Sequence, residues 1–329
     1  MIIVTGAAGF IGYQTAKRLL KQGETVLAVD ELLFFETRAE HQDVNLSLKV
    51  SPETILDETY FDELKAAGTP VTAIIHLGAC SDTTEMRVDY LNRVNLDYSQ
   101  KLWKIATKLK IPFVYASSAA TYGAGEQGYD DDESKLGFLK PLNPYGNSKA
   151  QFDLWVLDEE KQKATPPVWS GFKFFNVYGF GERHKGKMAS VVFQGFDQIR
   201  SKGSLKLFKS HKAGIADGEQ KRDFIFIDDV VDVLLFALKN PIKRGIYNLG
   251  SAQARSFQDL ALATFNALGV PPQIEFIDTP IEIRDRYQYF TEASMNKLKA
   301  AGFAKSFTTL EEGVRATVQE LKRVGYPIT

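Results

Sequence analysis

Along most of this chain, short apolar runs alternate with stretches in which apolar residues recur every three or four positions. Ile2–Val4 is such a run. From Ile11 the pattern turns helical, with Ile11, Thr15, Leu19 and Leu20 on one side and Lys17, Arg18 and Lys21 on the other. Gly23 fits a helix stop, and Thr25–Val29 reads as a second strand ending at Asp30. Further strands are predicted at Val71–Leu77, Ile111–Ala116 and Val168–Phe175, and helices at about 85–109 and 145–161. The strands are unbroken apolar runs, not alternating ones, which predicts a sheet covered on both faces. Their alternation with helices predicts an α/β fold built on a doubly wound parallel sheet with right-handed crossovers. After Val177 the pattern loosens: residues 179–187 are rich in glycine and charge, and 202–222 are rich in lysine. The rhythm resumes with a strand at Phe224–Ile227, a helix at Asp228–Leu238 and a strand at Gly245–Leu249. Two helices, near 256–268 and 309–323, and a strand at 273–277 complete the prediction. Residues 1–177 with 224–249 are expected to form one domain, and 178–223 with 250–329 a smaller α/β domain that binds substrate.

Composition narrows the function. At 329 residues the chain has room for about two domains of roughly 150 each. Lys plus Arg is 40 against 41 for Asp plus Glu, so the basic excess of a nucleic-acid binder is missing. One cysteine, Cys80, excludes a disulfide framework and any multi-cysteine zinc site. The histidines His41, His76, His184 and His211 have no metal-ligand spacing, and no metal is expected. No apolar run reaches the roughly 18 residues of a membrane span, and the N-terminal residues lack a signal-peptide pattern. A cytoplasmic protein without membrane or nucleic-acid partners is expected.

Candidate chemistry begins at Gly6-Ala7-Ala8-Gly9-Phe10-Ile11-Gly12. The glycines follow a strand and open a helix, and Asp30 ends the next strand eighteen positions after Gly12. This is the arrangement of a Rossmann dinucleotide site: Gly6 for the tight turn, Gly9 for backbone approach to a pyrophosphate, Gly12 for helix–strand packing. The helix N-terminus favours the anion, and Asp30 is placed to accept ribose hydroxyls. Glu31 would repel an added ribose phosphate, whereas Arg38 would neutralise one, so NAD and NADP both remain open at this point. Tyr145 and Lys149, four apart at the start of a predicted helix, share a face. With a nearby ammonium and a cationic nicotinamide ring, the phenol is expected to have a lowered pKa and to serve as acid or base at a carbinol oxygen. Ser117 and Ser118 follow a strand at the carboxyl end of the sheet, where such folds bind ligands.

These residues, with His76-Leu77-Gly78-Ala79, Ser118 before Tyr122-Gly123, and Asn95, make the chain resemble the extended short-chain dehydrogenase/reductases over nearly its whole length. One subfamily, the ADP-glyceromanno-heptose 6-epimerases, is similar at further stretches. They are Gly78-Ala79-Cys80-Ser81 with Thr83-Thr84-Glu85, Tyr115 to Gly123, and Phe175-Asn176-Val177-Tyr178-Gly179. Beyond them come His184-Lys185-Gly186, Met188-Ala189-Ser190-Val191, Lys221-Arg222-Asp223-Phe224 and Arg286-Tyr287-Gln288.

The resemblance implies a redox-neutral isomerase of heptose-precursor synthesis for the lipopolysaccharide core. It oxidises the exocyclic carbinol of an ADP-heptose to a ketone on bound NADP, with NAD the alternative, and reduces it from the other face. It further implies a homo-oligomer. Tyr145, Lys149, Ser118 and, as second acid/base, Lys185 are the implied catalytic residues. Phe10, Ile11, Leu77, Gly78, Ala79, Cys80, Ser81, Asn95, Val177 and Lys185 join the cofactor set. Ser118, Asn176, Lys187, Gln194, Phe208, Lys209, Ser210, Arg222 and Tyr287 are the implied substrate residues, Arg222 being suited to phosphate. Lys187 and Gln194 stand where the family often has serine and histidine. Cys80 is expected to be a buried, inert thiol. The rivals are a UDP-hexose 4-epimerase, a 4,6-dehydratase and a catalytically silent nucleotide-binding scaffold. Ala119-Ala120 replaces the Asp-Glu pair of a dehydratase, and the intact Tyr145 and Lys149 speak against a scaffold.

Overall fold

The computed structural model describes residues 1–41, 43–284 and 287–325. Its strands, numbered along the chain, are β1 Ile2–Thr5, β2 Val26–Val29, β3 Lys49–Val50, β4 Ala73–His76, β5 Phe113–Ser118 and β6 Trp169–Phe174. They continue with β7 Asn176–Tyr178, β8 Leu205–Phe208, β9 Lys221–Phe226, β10 Gly245–Leu249, β11 Ala254–Ser256 and β12 Ile274–Ile277. The chain divides into two units: Met1–Phe174, Val230–Asn248 and Asn296–Ala304 form the first, and Phe175–Asp229, Leu249–Met295 and Lys305–Thr329 the second. No helix among the described residues is long and apolar enough to cross a membrane.

The first unit is built on a seven-stranded sheet of order β10-β6-β5-β4-β1-β2-β3. From β3 to β6 the paired strands run parallel. Every residue of β1, β2 and β4 is buried, as their unbroken apolar runs require. The order reverses at β1, which lies between β2 and β4, so the switch point at which such sheets bind ligands lies at the carboxyl ends of β1 and β4. The helix expected over 85–109 begins at Val88 and is interrupted by π-helical turns at Asn92–Asp97 before Tyr98–Leu109. The helix Pro144–Gln162 starts where predicted, because the Asn143 side chain accepts the Gly146 N–H at 2.7 Å and Pro144 fills the first turn. The core gathers Ile3, Leu27, Ile74, Phe113 and Tyr115 with Trp103 and Trp169. Trp103 meets Trp169 edge-on at 5.3 Å and Trp155 at 6.1 Å, and these are the chain's three tryptophans.

The second unit holds a three-stranded sheet, β11-β9-β7, and the parallel pair β12-β8. Helices Val191–Lys202, Phe257–Leu268 and Leu310–Arg323 enclose a core of Tyr178, Val192, Phe196, Phe224, Leu260, Val314 and Val318. Reciprocal capping boxes, Ser256 with Asp259 and Thr309 with Glu312, set the two C-terminal helix starts near where the pattern predicts them.

The division departs from the expected one at residues 175–177 and at Leu249, which belong to the second unit, and at two longer segments. The strand read at Phe224–Ile227 is β9, which pairs with β7 and β11 and not with the large sheet. Buried Asp223 anchors it in the second unit, accepting the N–H groups of Ser251, Ala252 and Ala293. Asn296–Ala304 joins the first unit, where Lys297 reaches Glu133 at 2.6 Å and the Ile246 carbonyl at 2.8 Å.

Candidate active site

At the end of β1 the chain turns through Gly6 at φ +67°. A Cβ on Gly6 would lie 2.7 Å from the Gly78 nitrogen, and one on Gly12 would lie 2.0 Å from the Gly6 carbonyl oxygen. Neither position accepts a side chain. Gly9 is the N-cap of helix Phe10–Lys21 and brings no side-chain cap, so the positive end of the helix dipole is offered to an external anion. At the end of β2, Asp30 accepts the Ala8 and Glu31 N–H groups, each at 2.9 Å. The Arg38 guanidinium donates to the Ala8 carbonyl and lies 4.2 Å over the Phe34 ring. Burial holds it below its ordinary pKa, against the pull of Asp30. Glu31, Ala79 and Ser81 are exposed, Phe10 is buried and Ile11 half-buried. Leu77 and Gly78 donate their N–H groups to the Thr5 hydroxyl at 3.1 and 3.0 Å, tying the end of β4 to that of β1. A side-chain-free turn, an uncapped helix start and a carboxylate at the end of β2 together fit a dinucleotide.

Ser118 ends β5. Its hydroxyl accepts the Ala120 N–H at 3.1 Å and lies close enough to the Tyr145 phenol to act on its pKa. Lys149, one helical turn beyond Tyr145, donates to the Ala116 carbonyl at 2.9 Å. Both side chains are buried. Burial pushes the Tyr145 phenol up, opposed by the nearby Ser118 hydroxyl. The lowering expected at this phenol is therefore not a property of the chain's own groups, among which burial dominates. Burial also pushes the Lys149 amine down to about 8, opposed by Asp153. Cys80 departs from expectation too, being half-buried, with burial raising its thiol.

Polar residues hold this arrangement, of which Asn95 and His76 belong to the family motifs and Asp153 and Lys173 do not. Asn95, within the π-helical turns, accepts the Cys80 N–H at 2.8 Å and donates at 3.0 Å to both the Cys80 carbonyl and the Ser148 hydroxyl. It thereby joins the loop after β4 to the helix bearing Tyr145. His76 sits between the hydroxyls of Thr5, at 2.7 Å, and Ser99, at 2.8 Å. Burial, then the Lys149 charge, pushes it down to about 3. Asp153, four residues past Lys149, accepts from Ser117 at 2.7 Å, Tyr115 at 3.0 Å and the Lys173 ammonium. The Asp153–Lys173 side chains are 1% and 0% exposed, and Lys173 also donates to Thr121 at 2.8 Å.

In the second unit, Asn176 is exposed on β7 opposite Phe224 of β9, with half-buried Val177 beside it. Lys185 lies in the short helical segment Arg183–Met188, its ammonium 3.1 Å from Glu182. Gln194 donates to the carbonyls of exposed Lys187, at 3.1 Å, and of Ala189, at 2.8 Å. A second group forms around buried Arg222, which lies 5.2 Å from the Tyr287 ring and 5.6 Å from that of Phe257. Two of its nitrogens already serve the carbonyls of Lys221 and Gln288. Phe208 meets Tyr287 edge-on at 6.3 Å. Lys209 pairs with Asp278 at 3.5 Å, and the Ser210 N–H is held by Asp217 at 2.7 Å. Arg286 lies outside the described residues.

The profile of the NAD dependent epimerase/dehydratase family matches residues 2–250. A curated protein of Fusobacterium nucleatum subsp. nucleatum, named ADP-L-glycero-D-manno-heptose-6-epimerase, is 46% identical over 330 residues, covering 97% of this chain and 97% of that protein. One of the same name from Nitratidesulfovibrio vulgaris is 42% identical over 323 residues, with 97% of each chain covered. The crystal structure of Helicobacter pylori ADP-L-glycero-D-manno-heptose-6-epimerase has a TM-score of 0.77 to this fold at 27% identity, covering 98% of this chain and 96% of that one.

Proposed function

The chain belongs to the NAD dependent epimerase/dehydratase family, and from that premise we propose that it inverts carbon 6 of an ADP-glycero-manno-heptose through a transient ketone. The activity for which its relatives at 46% and 42% identity are named supports the choice of substrate. The observation that carries the chemistry is the buried Tyr145 phenol, beside Ser118 at the end of β5 and one helical turn from Lys149.

A nicotinamide, when bound here, would supply reversible hydride transfer at that carbon. The glycine turn and the start of helix Phe10–Lys21 would hold its pyrophosphate, and Asp30 its ribose. Arg38, packed on the glycine loop, favours NADP over NAD by neutralising a ribose phosphate. Tyr145 takes the carbinol proton and Ser118 orients the same oxygen. Lys149 places positive charge near the phenol. After the ketone turns, its oxygen needs a second proton donor, and Lys185 fills that role. Asn176, Phe208, Lys209, Ser210, Arg222 and Tyr287 bind the nucleotide sugar, with Lys187 and Gln194 shaping the loop beside Lys185.

The test is incubation with ADP-heptose and UDP-galactose in separate tubes, followed by proton NMR of the sugar signals. Interconversion of the heptose epimers, with UDP-galactose unchanged, is expected. The reverse selectivity would make the chain a hexose 4-epimerase. In Tyr145→Phe/Lys185→Met, inversion is expected to vanish while cofactor is retained.

A further inference from the structure

Between the end of β7 and the helix Val191–Lys202, Glu182 is wholly buried, at 0% exposure. A glutamate is almost never so placed unless its charge is matched. Its two oxygens are both engaged. Oε1 accepts the Gly179 N–H at 3.2 Å and the Ser190 hydroxyl at 2.6 Å. Oε2 accepts the Ser190 N–H at 2.9 Å and the Lys185 ammonium at 3.1 Å. Ser190 is in turn the N-cap of the following helix. The carboxylate therefore gathers both ends of the loop and the lysine within it.

The backbone beside Lys185 is equally restrained. Gly186 follows at φ 51°, ψ −120°, a conformation that side chains disfavour, and the Ala189 N–H closes onto its carbonyl at 3.1 Å. Lys185 itself keeps 24% of its side chain exposed. Asp223 is an instructive contrast in the same unit. It is as deeply buried, and the N–H groups of Ser251, Ala252 and Ala293 and the Ser251 hydroxyl suffice to satisfy it. Bracing a loop does not require a lysine.

We propose that Glu182 is a positioning residue that holds the Lys185 ammonium in one place for proton transfer during inversion. This rests on the reading of Lys185 as the second acid/base. In the reducing half of the reaction, a proton leaves Lys185 Nζ for the ketone oxygen as the carbon–hydrogen bond re-forms. Nζ is then reprotonated from water, and Glu182 exchanges neither proton nor electron. Holding a donor in a single orientation raises the turnover number and leaves substrate binding largely alone.

The experiment is a double-variant cycle on the full chain with ADP-heptose, reading kcat and KM by NMR, retained nicotinamide by absorbance, and melting temperature. Glu182→Gln is expected to lower kcat at least tenfold, with KM and cofactor content within twofold of the parent. Adding it to Lys185→Met is expected to cost nothing more. Glu182→Asp should recover part of the loss. Ser190→Ala removes bracing from Oε1 while sparing the lysine contact. It is expected to lower the melting temperature yet to slow turnover less than Glu182→Gln. Turnover of Glu182→Gln within twofold of the parent, losses that multiply in the double variant, or a larger kcat loss in Ser190→Ala would each overturn the proposal. Unchanged turnover in Lys185→Met alone would instead overturn the reading of Lys185 on which it stands.

Discussion

His76 is enclosed by two hydroxyls and stays neutral in the folded chain until the pH nears 3. In the unfolded chain the same side chain takes up a proton below about pH 6.5. Between these values the unfolded state binds more protons, so the stability due to a neutral His76 is complete above pH 6.5 and drains away as the pH falls toward 3. From pH 7 to 4.5 the loss is about 2 to 3 kcal/mol. Urea titrations of the parent and of His76→Gln at both pH values measure it. The variant should lose that much less on acidification, and equal losses would mean that His76 is already protonated in the fold. Residue identity alone did not announce this. The spacing of Gly6, Gly9 and Gly12, and of Tyr145 and Lys149, is written into short stretches of chain and can be read directly. Asp153, Lys173 and His76 are single polar residues whose burial is decided by partners far along the chain.

At the level of elements, strands covered on both faces are the most legible feature, because each residue of β1, β2 and β4 must be apolar or satisfied. Helix Val191–Lys202 is hidden by an internal glycine, Gly195, which fits because Leu205 packs against it at 3.2 Å from an added Cβ. The π-helical turns around Asn95 insert backbone without a compositional mark. β9 is readable as a strand, but its sheet is a matter of tertiary pairing. The start of helix Phe10–Lys21 supports a paired prediction. Gly12→Ala drives a Cβ into the Gly6 carbonyl and should cost about 3 kcal/mol. Gly9→Ala meets the same oxygen at 3.1 Å, a milder approach, and should leave the melting temperature nearly unchanged while the purified protein loses its nucleotide. Thermal melts together with absorbance of the retained cofactor separate the two. Equal melting temperatures would refute the packing role of Gly12, and full cofactor content in Gly9→Ala would refute the pyrophosphate placement.

For the molecule as a whole, cofactor choice is a linkage problem, since a ligand stabilises the folded chain by an amount that keeps growing with the logarithm of the ratio of its concentration to its dissociation constant. NADP at saturating concentration should raise the melting temperature more than an equal concentration of NAD. A tenfold difference in affinity corresponds to about 1.4 kcal/mol. Arg38→Ala should erase the difference, and a parent that prefers NAD would reverse the NADP reading.

The clustering of Trp103, Trp155 and Trp169 gives such melts a built-in optical address. Indole emission arises solely from the first unit, while Phe175–Asp229 and Leu249–Met295 melt in the dark. Fluorescence and far-ultraviolet dichroism recorded side by side will therefore trace one curve if the halves come apart together and two if they do not. No label need be attached.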